Sequence, residues 1–438
     1  MMEKQIIETP SSESFNPSNY INPNLKHLAV SQTLSINEKC NQLIKAGKKV
    51  YKFGLGQSPF PVPTPIVESL RLHAPQKDYL PVKGLPALRE AVAEFHRKKD
   101  LVDISPDNVL IGPGSKELLF LLQLAFNGEV MILCPSWVTY HPQAKILGKK
   151  IRFIHSSFDE KWVITPEKLE AACNGNTEPT LLILNYPGNP DGMTYSEAQL
   201  TAIAEVARRN HIYILSDEIY GQLHHKGNHV SIARYYPEGT IISSGLSKWC
   251  GAGGWRLGTF SFPEKLKWLL NAMAIVASET YTSVSAPIQY AAVQAFIGGA
   301  AIEEYLCHAR RILARLGNEC AVQLRDAGVK VHEPDGAFYL FLDFSPLEES
   351  LKKKNIHTCE QLCHRLLEDT GVAILPGAAF NRNKHELTAR LAYVDFDGAK
   401  AFSASETIPL HQPLPDDFTS NACANVIKGV EQITKWLA

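Results

Sequence analysis

Residues 243–258 read SSGLSKWCGAGGWRLG. A β-rich run, Thr240 to Ser244, leads into a loop of small residues that carries Lys248 and closes on Trp255-Arg256-Leu257-Gly258. In an apolar cleft a lysine's charged form is disfavoured, so its amine becomes a nucleophile able to form a Schiff base with an aldehyde. Arg256 could hold an anion. Together the two residues point to an aldehyde cofactor that carries a phosphate.

Working upstream, short apolar runs alternate with polar turns. His211 to Leu215 precedes Ser216-Asp217-Glu218-Ile219-Tyr220, and Thr180 to Asn185 precedes Tyr186-Pro187-Gly188-Asn189-Pro190-Asp191-Gly192. Such runs read as parallel strands covered on both faces, whose carboxyl ends are where open α/β sheets bind ligands. Ser196 to Gln199 reads as a capping box that opens a helix from Glu197 to Arg208. Asn108 to Ile111 leads through Gly112-Pro113-Gly114-Ser115-Lys116 into an apolar helix, Glu117 to Phe126. Strand, glycine turn and helix start make an anion site, because free N–H groups point out of a helix N-terminus. Glu129 to Cys134 is the next buried strand, and an aromatic in the Pro135 to Tyr140 stretch beyond it could stack on a flat ring.

Ser247-Lys248, Arg256 and Gly258 resemble the pyridoxal-phosphate lysine signature of class I and II aminotransferases, and further motifs follow in that family's order from about residue 50 to about residue 400. The resemblance implies a fold-type-I α/β architecture: a large domain with a mostly parallel seven-stranded sheet between helices, and a smaller α+β domain. It implies pyridoxal 5'-phosphate held on Lys248, the catalytic residue. Gly114, Ser115 and Lys116 match the family's phosphate cup, with Ser247 and Arg256 as further cofactor contacts. Trp137 is preferred to Tyr140 as the stacking ring. Asn189 and Tyr220 would meet the phenolate oxygen and Asp217 the pyridine nitrogen. For the substrate, Gly56 lies in the proline-rich GLGQSPFPVPTP segment (54–65) that covers it in the family, Asn189 is nearby, and Arg390 would bind the α-carboxylate. Tyr79 matches a tyrosine that reaches the neighbouring subunit's phosphate, so a homodimer with shared sites is implied. The sequence departs from the pattern at Asp191, where threonine is usual, at Gly245, where a serine is common, and at Asn381, which follows Phe380 in place of glycine.

The 438 residues divide, on this reading, into an arm (1–30), the N-terminal part of a small domain (31–75), a large cofactor-binding domain (76–315) and the C-terminal small domain (316–438). Lysine plus arginine (44) nearly balances aspartate plus glutamate (45), which argues against nucleic acid or an anionic membrane as partner. Nine cysteines scattered over a long chain fit a reducing compartment, and the protein is read as cytoplasmic. Cys359, Cys363 and His364 lack a second ligand pair, so no metal is expected. The function expected is transfer of an amino group between an L-amino acid and a 2-oxo acid by a ping-pong mechanism, with aspartate or aromatic amino acids as candidate donors. A pyridoxal-phosphate-dependent cysteine-conjugate C–S β-lyase remains the enzymatic alternative, because one fold hosts several chemistries at the same carbon.

Overall fold

A computed structural model describes residues 20–26, 32–175 and 177–438. The expected arm lies largely outside the described residues. The first strand, β1 (Tyr51–Lys52), belongs to a small sheet. The central sheet is built from β2 (Val109–Gly112), β3 (Glu129–Cys134), β4 (Ile151–His155), β5 (Thr180–Asn185), β6 (Tyr213–Asp217), β7 (Thr240–Gly245) and β8 (Gly258–Ser261), in the spatial order β2-β8-β7-β6-β5-β3-β4. Only β8 runs against its neighbours. The fold is therefore α/β with a seven-stranded, mostly parallel sheet.

Side chains alternate across that sheet as the period of two requires. Met131, Leu133, Leu182, Leu184 and Ile214 pack under helices Pro166–Cys173 and Glu197–Arg209. Val130, Ile132, Leu181, Ile183 and Leu215 face the opposite way, against helices Ser115–Ala125 and Lys267–Glu279. Covered on both faces, β3 and β7 are buried along their whole length, whereas β4 at the sheet's edge is half-exposed. The capping box at Ser196 and Gln199 forms in both directions.

The remaining strands are β9 (Tyr339–Asp343), β10 (Val372–Ala373), β11 (Leu375–Pro376) and β12 (Thr388–Ala392). An antiparallel sheet of order β11-β12-β9 stands beside a two-stranded parallel pairing of β1 with β10, so the chain's early and late segments meet. A 27-residue helix, Ala300–Asp326, lays a buried stripe beneath them. Ser285 precedes helix Ala286–Ile297, which carries Pro287 in its first turn, a position where the missing N–H costs nothing. Among the described residues no helix is long and apolar enough to cross a membrane.

Candidate active site

A cavity of about 480 Å³ opens at the carboxyl ends of β5, β6 and β7. Its walls bring together residues far apart in sequence: Gly56, Ser115, Lys116 and Trp137 from the first third of the chain, then Asn189, Asp217, Tyr220, Ser247, Lys248 and Arg256. Lys248 follows the buried strand β7, and its Nζ donates to the Gly56 carbonyl at 2.8 Å. The ammonium lies 5.5 Å from the centre of the Tyr220 ring and 5.9 Å from that of Phe338. The residue is only half-buried, because the cavity opens onto it. Crowding by protein is still the main influence on the amine, followed by the positive charge of Arg390, and its pKa falls to about 8.

Asp217 ends β6 and is buried. Its Oδ2 accepts from Tyr140 Oη at 2.7 Å and its Oδ1 from Ser243 Oγ at 3.1 Å. Burial nonetheless pushes its carboxyl above the usual range, against the pull of those bonds. A cation brought against the carboxylate would favour its charged form. Asn185, at the end of β5, donates to the Asp217 carbonyl at 2.7 Å and accepts from the Asn189 N–H at 2.9 Å, tying the two strand ends together. Tyr140, Asn185 and Tyr339, whose hydroxyl lies 2.7 Å from that of Tyr220, are site residues that the sequence reading did not assign. Tyr140 was weighed there only as a stacking ring, and its bond to Asp217 gives it a different task. Trp137 meets Tyr140 edge-on, with ring centres 5.3 Å apart.

The other end of the cavity is an anion cradle. Gly114, with φ of +89°, turns the chain into helix Ser115–Ala125, and Gly258 packs against the helix start so closely that a Cβ there would lie 2.2 Å from the Ser115 nitrogen. Arg256, itself left-handed at φ 55°, reaches across to donate to the Pro113 and Gly253 carbonyls at 3.1 and 3.0 Å. Lys116 stands 5.2 Å over the Trp137 ring, and burial, then Arg256, lowers its pKa. Gly245 explains one departure from the family pattern. A Cβ at this position would lie 2.7 Å from the Leu257 carbonyl oxygen, leaving no room for serine, while Ser247 lines the cavity.

Arg390 comes from β12, paired between Phe341 and Leu375. It is 2% exposed and sandwiched by the rings of Tyr339 and Phe380, at 4.7 and 5.0 Å. Its Nη1 donates to Asn189 Oδ1 at 3.0 Å and its Nη2 to the Gly54 carbonyl, while its buried Nε has no partner. A buried donor without an acceptor is costly, so the guanidinium retains unused capacity. Asp191, at the usual threonine position, caps its own turn by accepting from the Met193 N–H at 2.8 Å, and burial pushes its carboxyl up to about 7. Asn381 adopts the left-handed conformation that asparagine tolerates and bonds Ser136 and His141 at 3.1 and 2.9 Å. Tyr79 is not part of this cavity: its side chain is 91% exposed. Among the described residues no group of three or more His, Cys, Asp or Glu could hold a metal ion. Cys359 and Cys363 are buried, and His364 pairs with Glu368 at 3.3 Å.

Residues 48–393 match the family described as aminotransferase class I and II. The aspartate aminotransferase of Bacillus sp. (strain YM-2) is 32% identical over 379 residues, covering 84% of this chain and 93% of that protein. The aspartate/prephenate aminotransferase of Thermus thermophilus is 32% identical over 368 residues, covering 83% and 91%. Among solved structures, the Thermus thermophilus aspartate aminotransferase with maleate superposes with a TM-score of 0.81 at 28% identity, covering 95% of this chain and 99% of that one. That of Rhizobium meliloti gives 0.80 at 25% identity, covering 95% and 98%.

Proposed function

The chain belongs to the class I and II aminotransferases, and from that premise we propose that pyridoxal 5'-phosphate is its cofactor and that the cavity at Lys248 is where amino groups change hands. It is a transaminase acting on an amino acid and a 2-oxo acid, and relatives named as aminotransferases do not favour the C–S lyase. The residues present fit the cofactor at each end. The glycine-walled helix start at Ser115, with Lys116, Ser247 and Arg256 beside it, suits a phosphate. At the opposite pole Asp217, oriented by Tyr140 and Ser243, suits a protonated ring nitrogen. Asn189 and Tyr220 offer donors for an anionic ring oxygen, and Trp137 a face for the ring. When bound, the cofactor supplies an electron sink for a carbanion at the substrate's α-carbon.

Each residue's task then follows. Lys248, with its proton affinity lowered by crowding and by Arg390, would hold the cofactor's aldehyde and, when free, would serve as the base and acid for the proton at the substrate's α-carbon. Arg390 exchanges the neutral acceptors on Asn189 and Gly54 for the substrate's α-carboxylate, a charge-assisted pair roughly twice as strong as a neutral one. Gly56 accepts from Lys248 through its carbonyl, and its missing side chain leaves room for the Tyr339 hydroxyl. The donor we infer is aspartate, which the names of the relatives carry, with an aromatic amino acid as the second candidate. Residues 31–75 and 316–438 would form the small domain and 76–315 the large one, and the working unit would be a cytoplasmic homodimer in which Tyr79 serves the neighbouring cavity.

One observation carries this reading. A lysine with a lowered pKa shares a cavity with a buried aspartate and a helix N-terminus at the ends of parallel strands. The test is the visible absorption spectrum of the purified protein during addition of single amino acids. The expected result is a cofactor band that disappears with aspartate or an aromatic amino acid and returns with a 2-oxo acid. Pyruvate and ammonia accumulating without that reversal would overturn it.

A further inference from the structure

We propose that Tyr339 is a positioning residue for this site: its hydroxyl orients that of Tyr220, and its ring makes that hydroxyl sensitive to whether Arg390 holds a carboxylate. The proposal rests on the cofactor reading above. Tyr339 opens β9, is 1% exposed and does not line the cavity. Yet it touches three residues that do different work. Its hydroxyl lies 2.7 Å from that of Tyr220. The Arg390 guanidinium sits 4.7 Å over its ring. A Cβ on Gly56 would fall 1.9 Å from its oxygen, so the segment whose carbonyl accepts from Lys248 is shaped by Tyr339.

Two phenols that share one hydrogen bond can orient it either way. For Tyr220 to give its proton to an anionic oxygen in the cavity, it must be the acceptor in the pair, and Tyr339 the donor. A phenol that accepts a hydrogen bond while donating another becomes the stronger donor, since chained bonds polarise one another. Arg390 helps set that direction. A cation over a phenol ring stabilises the negative charge that grows on the oxygen as it donates. A carboxylate on Arg390 neutralises part of the cation's field, Tyr339 then donates less, and the change reaches Tyr220. In this way the carboxylate site and the ring-oxygen site share one residue, although they draw on different sheets.

The test uses the holoenzyme and the Tyr339→Phe variant, which keeps the ring over Arg390 but removes the hydroxyl, the atom nearest Gly56. The visible band is titrated with pH, with and without succinate, a dicarboxylate that has no amino group to transfer. Weaker donation by Tyr220 leaves more negative charge beside the Lys248 nitrogen, which then holds its proton to higher pH. The midpoint is expected to rise by roughly half a unit to one unit, and the succinate-induced shift to shrink. The amino-acid KM should stay within about twofold of wild type while kcat falls, as for a change that leaves ground-state binding intact. In a Tyr220→Phe background, adding Tyr339→Phe should move the midpoint no further, the non-additivity of a shared pathway. An unchanged midpoint in the single variant, or additive shifts in the double one, would overturn the proposal. A wild-type protein that shows no visible band when pyridoxal phosphate is added would overturn the cofactor reading and this proposal with it. The two failures are distinguishable, because only the second appears before any substitution is made.

Discussion

Lys248 is placed between opposing charges. Burial and Arg390 disfavour its proton, Asp217 favours it, and the balance puts the amine at about 8, down from the 10.5 of a free lysine. A depressed pKa makes the neutral, nucleophilic form available at lower pH. The rate at which the cofactor-free protein captures pyridoxal phosphate covalently should therefore rise with pH with a midpoint near that value. Replacing Arg390 with glutamine removes a neighbouring cation, so the midpoint should move upward. Borohydride trapping against pH measures it, and a midpoint indifferent to Arg390 would separate the two residues. The types of these residues were legible in sequence, because a lysine among small residues and an aspartate after four apolar ones are local signals. Their partners were not. Tyr140 reaches Asp217, and Tyr220 meets Tyr339, across sequence gaps of 77 and 119 residues. No period or spacing encodes pairings of that range.

At the level of the element, the start of helix Ser115–Ala125 depends on two backbones lying closer than side chains permit. Gly258 opens β8, the one antiparallel strand of the sheet, and that reversal brings its Cα against the helix's first amide. The Gly258→Ala methyl would sit 2.2 Å from the Ser115 nitrogen and 2.5 Å from the Gly114 carbonyl carbon, both backbone atoms unable to swing aside. Overpacking of this kind costs about 1–3 kcal/mol, and the amides that must give way are those proposed to meet the phosphate. The expected outcome is a lower melting temperature together with a roughly five- to hundredfold loss of cofactor affinity, since each 1.4 kcal/mol is a factor of ten. Fluorescence titration of the cofactor-free variant with pyridoxal phosphate measures the latter. Unchanged affinity would remove this helix start from the cofactor site. Sequence reading found β2 and β7 beside this point, because doubly covered strands are continuous apolar runs, but it assigned no strand to residues 258–261. It did not give their order or the reversal of β8, because direction depends on where the loops lead.

For the molecule as a whole, the cradle seen in a single chain leaves Tyr79 almost wholly in solvent. Leu72 is also exposed, as are Trp268 and Ile275, which lie seven positions apart on one face of helix Lys267–Glu279. Exposed apolar surface of this sort marks interaction sites, and two-fold dimers are the commonest assembly of soluble chains. If Tyr79 serves the partner's cavity as proposed, subunits carrying different lesions should repair each other. A Lys248→Ala chain lacks the amine but offers an intact Tyr79, and a Tyr79→Ala chain has the reverse. Loss of a hydrogen bond to a charged phosphate is worth about 1.5–3 kcal/mol, so Tyr79→Ala should bind cofactor roughly ten- to a hundredfold more weakly, and limiting cofactor exposes the defect. In a mixed dimer one cavity combines both lesions, while the other combines Lys248 of one chain with Tyr79 of its partner and is wild type. Random reassociation makes half the dimers mixed, with one good cavity in two, so activity should recover to about a quarter of wild type. Activity no greater than the mean of the two separate variants, with dimers verified by sedimentation, would mean that each cavity is completed by its own chain.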